Sequence, residues 1–392
     1  MIPFDEFGPE YVITVYDPHT QTKGFLVIDN TTLGPGKGGI RMTANVTQEE
    51  VFRLARTMTW KNALAGIPFG GAKAGIVWNG GDEHQKKAAI QSFARAIKLF
   101  TPKKYIAGPD VNTGERDMQW FVEATGNWRT ATGKPANLCM DTFESGAARL
   151  KAGEPRPAGW RGGRCGIPHE FGSTGFGVAH AAAVAAELAG INLKGARVAI
   201  HGFGNVGTFT YEFLTEMGAR VVALADKHTV LFSEKGFDKD SIAIVIKEHR
   251  PLSEYKNAEH MAPEAFWSIP TDILIPASVT DVVNDSNFKS IKTRIIVEAG
   301  NIPMREPIEE KLHKQGILIV PDFLANAGGV ISSYSEYRGY NPKQMFELVK
   351  RKITQATKQV LKQSLKTGEN PRSVALAIAK ERILKKMKTK KT

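Results

Sequence analysis

The sequence predicts an α/β protein of two domains, one of them built on an open and largely parallel sheet. Three observations carry this. At 392 residues the chain exceeds what one hydrophobic core normally serves. From Lys194 onward, short apolar segments alternate with amphipathic ones, and several are apolar on both faces, as buried parallel strands are. The first third instead mixes β-branched and aromatic runs with helical periodicity.

The elements follow in order. Residues 11–16 and 24–28 read as short strands rich in Val, Ile, Tyr and Phe. Thr47 and Glu50 form a capping box for a helix on which Val51, Leu54, Ala55 and Met58 recur at helical spacing. Gly66 ends that helix, which puts Lys61 in its last turns and Lys73 in the loop beyond. Residues 85–100 form a second amphipathic helix, with Ile90, Phe93, Ala94 and Ile97 on one face. A short strand at 105–107 precedes Asp110. The stretch 132–175 is rich in Gly, Pro and Arg without a sustained period, and its length marks a functional loop, a lid or a subunit contact. Ser173 and Thr174 can cap an alanine-rich helix running to Leu188. Strands are expected at 197–201, 220–225, 272–275, 294–297 and 318–320. From Ala327 the chain is helical, with a long amphipathic helix over 342–368.

Composition excludes several classes. No apolar run approaches the roughly eighteen residues of a membrane span. About half of the formal net charge of +12 falls in 380–392, where lysines favour a helix end and no aromatic residues interleave, so nucleic-acid binding is not expected. Two cysteines, Cys139 and Cys165, are too few for a disulfide framework and fit a reducing cytoplasm. The N-terminus shows no secretory pattern, and a cytoplasmic location is expected. His169, His180 and His201 lack partners at metal spacing, and no metal site is expected.

Val198-Ala-Ile-His-Gly202-Phe203-Gly204-Asn205-Val206-Gly207 is a strand running through GxGxxG into a helix. Gly202 permits the tight turn, Gly204 lets backbone approach a diphosphate, and Gly207 lets helix and strand pack closely. A second strand ends at Asp226, about the spacing at which an acid binds a ribose diol. Lys227 and His228 follow and could balance a 2′-phosphate, so NAD and NADP both remain open.

Three lysines occupy glycine-rich, apolar surroundings. They are Lys37 in Gly34-Pro-Gly-Lys-Gly-Gly-Ile-Arg41, Lys61 in Met58-Thr-Trp-Lys-Asn-Ala, and Lys73 in Pro68-Phe-Gly-Gly-Ala-Lys-Ala-Gly75. Lysines are normally solvated. Three brought together need an anion, and each lowers the proton affinity of the others. That combination suits a dicarboxylate site with one amine tuned for proton transfer.

With these motifs, the GxGxxG and Asn326-Ala-Gly-Gly-Val-Ile-Ser-Ser-Tyr-Ser-Glu336, the chain resembles the glutamate dehydrogenase family, within the glutamate/leucine/phenylalanine/valine dehydrogenases. The resemblance covers most of the chain, with the motifs in family order. It implies reversible oxidative deamination of L-glutamate to 2-oxoglutarate and ammonium, with NAD or NADP, and usually a homohexamer. It also implies an α/β substrate and oligomerisation domain (1–176 with 335–392) and a Rossmann-like domain (177–334), separated by a cleft. By the same resemblance Lys73 and Asp110, in Gly108-Pro-Asp-Val-Asn112, are catalytic. Lys61 holds the substrate α-carboxylate, and Lys37 with Ser333 holds the side-chain carboxylate. Thr174, Asn205 and Asn326 match cofactor-contacting positions, as, more loosely, do Ala277 and Asn301. Read without the resemblance, Asp110 suits a turn and Ser333 a helix cap. Leucine, phenylalanine and valine dehydrogenases have apolar residues at the positions of Lys37 and Ser333, which favours glutamate here. A dehydrogenase of another amino acid, or an inactive nucleotide-binding homologue, is the alternative. Ala74 stands where many relatives have glycine, and its methyl would clash if the backbone there needed positive φ.

Overall fold

The computed structural model describes residues 2–140, 164–248 and 250–391, and these divide into two compact units. The first comprises 1–171, 330–348 and 379–392; the second comprises 172–329 and 349–378. The expected domains, 1–176 with 335–392 and 177–334, cut the chain elsewhere, because 349–378 cluster with the second unit. Within that stretch Arg372 is tied to Glu298, Glu309 and Asp322 of the same unit. Most of the insertion expected to form a lid, 141–163, lies outside the described residues.

The first unit begins with strands β1 (Tyr11–Asp17), β2 (Thr22–Asn30), β3 (Gly36–Lys37) and β4 (Ile40–Thr43). Helix α1 (Gln48–Ala65), strand β5 (Gly70–Val77), helix α2 (Glu83–Ala96), strand β6 (Tyr105–Ile106) and helix α3 (Glu115–Thr125) follow. The sheet runs β1-β2-β5-β3-β6, with β4 also on β5. One face buries Leu26, Ile28, Ile40, Met42, Ile76, Phe93 and Phe121. The other carries Val27, Val46, Val51, Phe52 and Ala55, mostly from α1. The α1 boundaries follow the sequence signals: Thr47 accepts from the Glu50 N–H, and Gly66 closes the helix at φ 62. The helix expected over 85–100 stops at Ala96 and tightens into a single turn at 98–100.

Lys73 is not in a loop. It lies in β5, opposite Val27 of β2. The Gly-Gly-Ala-Lys-Ala-Gly run is a poor strand former by propensity, but its smallness lets α1 lie on it. A Cβ on Gly71 would sit 2.3 Å from the Thr59 nitrogen of α1. Ala74 is extended, paired with Leu26 and Ile40, so its methyl meets no positive-φ constraint.

The second unit opens with α4 (Ser173–Leu188) and β7 (Arg197–His201), then α5 (Asn205–Glu216), β8 (Arg220–Ala225) and β9 (Val230–Phe232). Next come α6 (Lys239–Lys247), β10 (Glu259–Met261), β11 (Ile273–Pro276), β12 (Ile295–Val297), α7 (Glu306–Lys314), β13 (Leu318–Val320) and α8 (Asp322–Ala325). The C-terminal helices are α9 (Gly328–Arg338), α10 (Pro342–Thr367) and α11 (Pro371–Lys391). Strand order is β10-β9-β8-β7-β11-β12-β13, parallel from β8 through β13, with β9 and β10 forming an antiparallel edge. The order reverses between β7 and β11, the switch point at which such sheets bind ligands beyond their carboxyl ends. Gly172, at φ 72, precedes α4 with no side-chain cap, so Ser173 and Thr174 lie inside the helix rather than capping it. Among the described residues no helix is long and apolar enough to cross a membrane.

Candidate active site

In the first unit, β5 and its neighbours bring the lysines into the protein interior. Lys37, Lys61 and Lys73 are 3%, 8% and 6% exposed, far from the usual solvated state of lysine. β3 lies parallel to β5, with Lys37 opposite Gly71, and the Lys37 ammonium donates to the Ala107 carbonyl at 2.8 Å. Lys61 sits in the last turns of α1, where the adjacent Asn62 amide donates to the Gly70 carbonyl at 2.6 Å and locks the helix to β5. Ser333 is half-buried on α9, whose Tyr334 and Tyr337 rings pack edge-on to Phe69, just before β5.

Lys73 Nζ lies 3.1 Å from Asp110 Oδ2. Arg41 reaches the same oxygen at 2.9 Å and bridges to Glu50 at 2.6 Å. Burial alone would raise Asp110, but the charges of Lys73 and Arg41 outweigh it and hold the carboxyl below its ordinary range. Burial pushes the Lys73 amine down, and Asp110 restores only part of the loss. Burial also brings Lys37 down to about 7; Glu336 opposes this, while Lys73 and Lys134 add to it. An amine whose hold on its proton is weakened, beside a carboxylate, is equipped for general acid–base work. Asp110 therefore has partners beyond those of a plain turn residue.

In the second unit, the predicted nucleotide residues gather at the carboxyl ends of β7, β11 and β12. Gly202 has φ 104, and a Cβ there would meet the Ser278 backbone at 2.7 Å. A Cβ on Gly207 would fall 1.9 Å from the Gly202 carbonyl oxygen. Gly204 faces open space and precedes α5 without a side-chain cap, with Asn205 exposed at the helix start and Phe203 and Val206 half-buried around it. Bare helical N–H groups over a glycine cradle fit the diphosphate of a dinucleotide. Ala277 follows β11 and donates its N–H to the His201 carbonyl at 2.7 Å. The Asn326 amide donates to the carbonyls of Ala299 and Gly300 and to Asn301 Oδ1, at 3.1–3.2 Å, which joins two of the predicted positions directly. Thr174, in the first turn of α4, lies against Gly328. Asp226 follows β8, as the spacing predicts. Its Oδ1 accepts the His228 and Thr229 N–H groups at 2.8 Å, and its Oδ2 accepts from Leu252 at 3.2 Å, so a ribose would share this carboxylate with its own loop.

Three features escaped the sequence reading. Arg41 and Glu336 lie inside the quoted motifs, but their roles depend on contacts across the fold. Arg372 is clasped by Glu309, Glu298 and Asp322 at 2.5, 2.6 and 3.1 Å, and no local signal connects residues so far apart. Cys139 and Cys165, expected as free thiols, form a disulfide. The chain doubles back there, with the Met140 N–H donating to the Arg164 carbonyl at 2.7 Å. Among the described residues no cluster of His, Cys, Asp or Glu is arranged to hold a metal.

A doubly wound sheet with a glycine cradle, together with a buried lysine–aspartate centre, defines a nucleotide-dependent dehydrogenase. The family model for Glutamate/Leucine/Phenylalanine/Valine dehydrogenase matches residues 165–391, and that for the Glu/Leu/Phe/Val dehydrogenase dimerisation domain matches 9–127. The chain belongs to this family. It is 32% identical over 383 residues to an NADP-specific glutamate dehydrogenase of Saccharolobus shibatae, covering 92% of this chain and 83% of that one. It is 34% identical over 325 residues to an NAD-specific glutamate dehydrogenase of Clostridioides difficile, covering 80% and 72%. The crystal structure of glutamate dehydrogenase from Peptoniphilus asaccharolyticus superposes with a TM-score of 0.79 at 27% identity, over 97% of this chain and 92% of that one.

Proposed function

We infer that the chain is a glutamate dehydrogenase, catalysing the reversible conversion of L-glutamate to 2-oxoglutarate and ammonium with NAD or NADP. The observation that carries this is the burial of Lys37, Lys61 and Lys73 in the first unit, with Lys73 paired to Asp110 and acting on Lys37. A buried ammonium is costly unless it is paired; Lys37 donates to the neutral Ala107 carbonyl, and the second carboxylate of a dicarboxylate would supply it with an anion. A leucine or valine side chain beside Lys37 would leave that charge unpaired. No observation favours the other amino acids or an inactive homologue.

Lys61 would hold the α-carboxylate, and Lys37 with Ser333 the distal one. This fixes the reacting carbon, and positioning supplies much of the rate in such reactions. With its lowered proton affinity, Lys73 takes a proton from the water that attacks the imine and returns it in the reverse direction. Asp110, held ionised by Lys73 and Arg41, exchanges a proton with the substrate nitrogen. Gly202–Gly207, Asp226, Ala277, Asn301, Asn326 and Thr174 would hold the dinucleotide, which supplies the hydride acceptor or donor when bound. On this reading the first unit binds the amino acid and the second the cofactor. A homohexamer, a cytoplasmic location and a role in nitrogen metabolism belong to the same proposal. They are supported by the family to which the chain belongs. The test is spectrophotometric: NADH and NADPH oxidation with 2-oxoglutarate plus ammonium, against a panel of apolar 2-oxo acids. Turnover confined to the apolar acids, or none, contradicts the reading.

A further inference from the structure

Glu336 lies one helical turn beyond Ser333, on the same face of α9. Its carboxylate is buried and held by three donors: Lys134 on Oε1, and the Gly133 and Ile167 N–H groups on Oε2, each at 2.8 Å. Lys134 is itself buried, lies over the Trp128 ring at 3.6 Å and donates to the Ala131 carbonyl. Ala107, whose carbonyl accepts from Lys37, exchanges backbone hydrogen bonds with Thr130 and Thr132 in this same segment. Two buried ammonium groups thus hang from neighbouring carbonyls, with one fixed carboxylate to balance them.

We propose that Glu336 is a positioning residue for substrate specificity: its charge keeps Lys37 protonated, and so able to grip the distal carboxylate, against Lys73 and Lys134. This rests on the reading of Lys37 as the holder of that carboxylate. Among the described residues Glu336 is the carboxylate whose charge acts on Lys37; Lys73 and Lys134 oppose it. His169, from the turn at 169–171, faces the same set, feeling Lys37, Glu336, Asp110 and its neighbour Glu170. Glu336 touches no reacting atom. Its effect passes through the proton on Lys37, and therefore falls on dicarboxylate binding rather than on turnover.

The experiment measures KM and kcat for 2-oxoglutarate, and for a 2-oxo acid with an apolar side chain, between pH 5.5 and 8.5. It uses the intact enzyme, Glu336→Gln and Lys134→Gln. In the unaltered protein KM for 2-oxoglutarate rises above a break near 7, the value at which Lys37 titrates. Glu336→Gln moves that break down by about one pH unit, raising KM about tenfold at pH 8 with kcat within a few fold. Lys134→Gln removes an opposing cation and moves the break up. For the apolar acid, KM keeps its pH dependence in both variants. Structural damage cannot shift one break in opposite directions, so the sign pair separates the proposal from simple misfolding. Should Glu336→Gln fail to fold, the upward shift in Lys134→Gln carries the test by itself. Breaks that stay put, or apolar-acid KM values that move equally, overturn the proposal while leaving glutamate dehydrogenase activity intact. No turnover of 2-oxoglutarate by the unaltered enzyme overturns both.

Discussion

Replacing Arg372 with methionine should destabilise the second unit by several kcal/mol at alkaline pH and by much less in acid. Arg372 is 15% exposed at its side chain, while Glu298, Glu309 and Asp322 around it are 0%, 0% and 3% exposed. Removing one partner from a buried ion cluster costs about 3–5 kcal/mol, because the remaining charges stay desolvated. The pH sign follows from the acids. Burial already raises Glu298 well above its ordinary 4.5 and raises Glu309, with Arg372 opposing both shifts. A carboxyl whose folded value is raised contributes stability that is complete below 4.5 and is lost as pH climbs through the folded value. Without Arg372 both values rise further, so the deficit is largest above them and shrinks as pH falls toward 4.5. The loss also reaches the loop proposed to hold the cofactor. Glu298 accepts from the Asp322 N–H, and Asp322 accepts from Ile302 next to Asn301, at 2.8 and 2.9 Å. Urea unfolding of the intact chain at pH 8 and pH 5.5 reads the stability, and nucleotide fluorescence titration reads the affinity. A deficit under about 1 kcal/mol at pH 8, or one that widens on acidification, would refute the reasoning.

Two further outcomes are expected. Lys37→Leu with Ser333→Val should cut glutamate turnover severely and admit small apolar amino acids; unchanged glutamate kinetics would remove the specificity argument. Denatured, unreduced protein should leave Cys139 and Cys165 blocked to alkylation. Cys139→Ser should then lower stability by about 3.5 kcal/mol, the loop-entropy value for a 26-residue separation, and free thiols on both residues in the native protein would contradict the structure.

What was legible in the sequence is what depends on local chemistry. The Thr47 cap, the Gly66 stop and the GxGxxG turn each act within a few residues, and each element lies where those signals put it. The lysines stood out because glycine-rich, apolar surroundings are the wrong place for a solvated amine. The strand carrying Lys73 was not legible, since Gly70–Val77 has little β-propensity and is held by α1 and three flanking strands. Glu336 could have been flagged by its i+3 spacing from Ser333, which places both on one helical face. The Arg372 cluster and the disulfide had no such signal, because their members meet only once the chain has folded.

The central claim is that Lys73 and Asp110 move the protons of glutamate oxidation. Its most direct test is the steady-state kinetics of Lys73→Met and Asp110→Asn with glutamate, alongside nucleotide affinity. The account predicts kcat/KM lower by about 10²–10⁴ in each, the usual worth of a positioned acid or base, with nucleotide binding unchanged. Either variant oxidising glutamate within a few fold of the unaltered enzyme would contradict it.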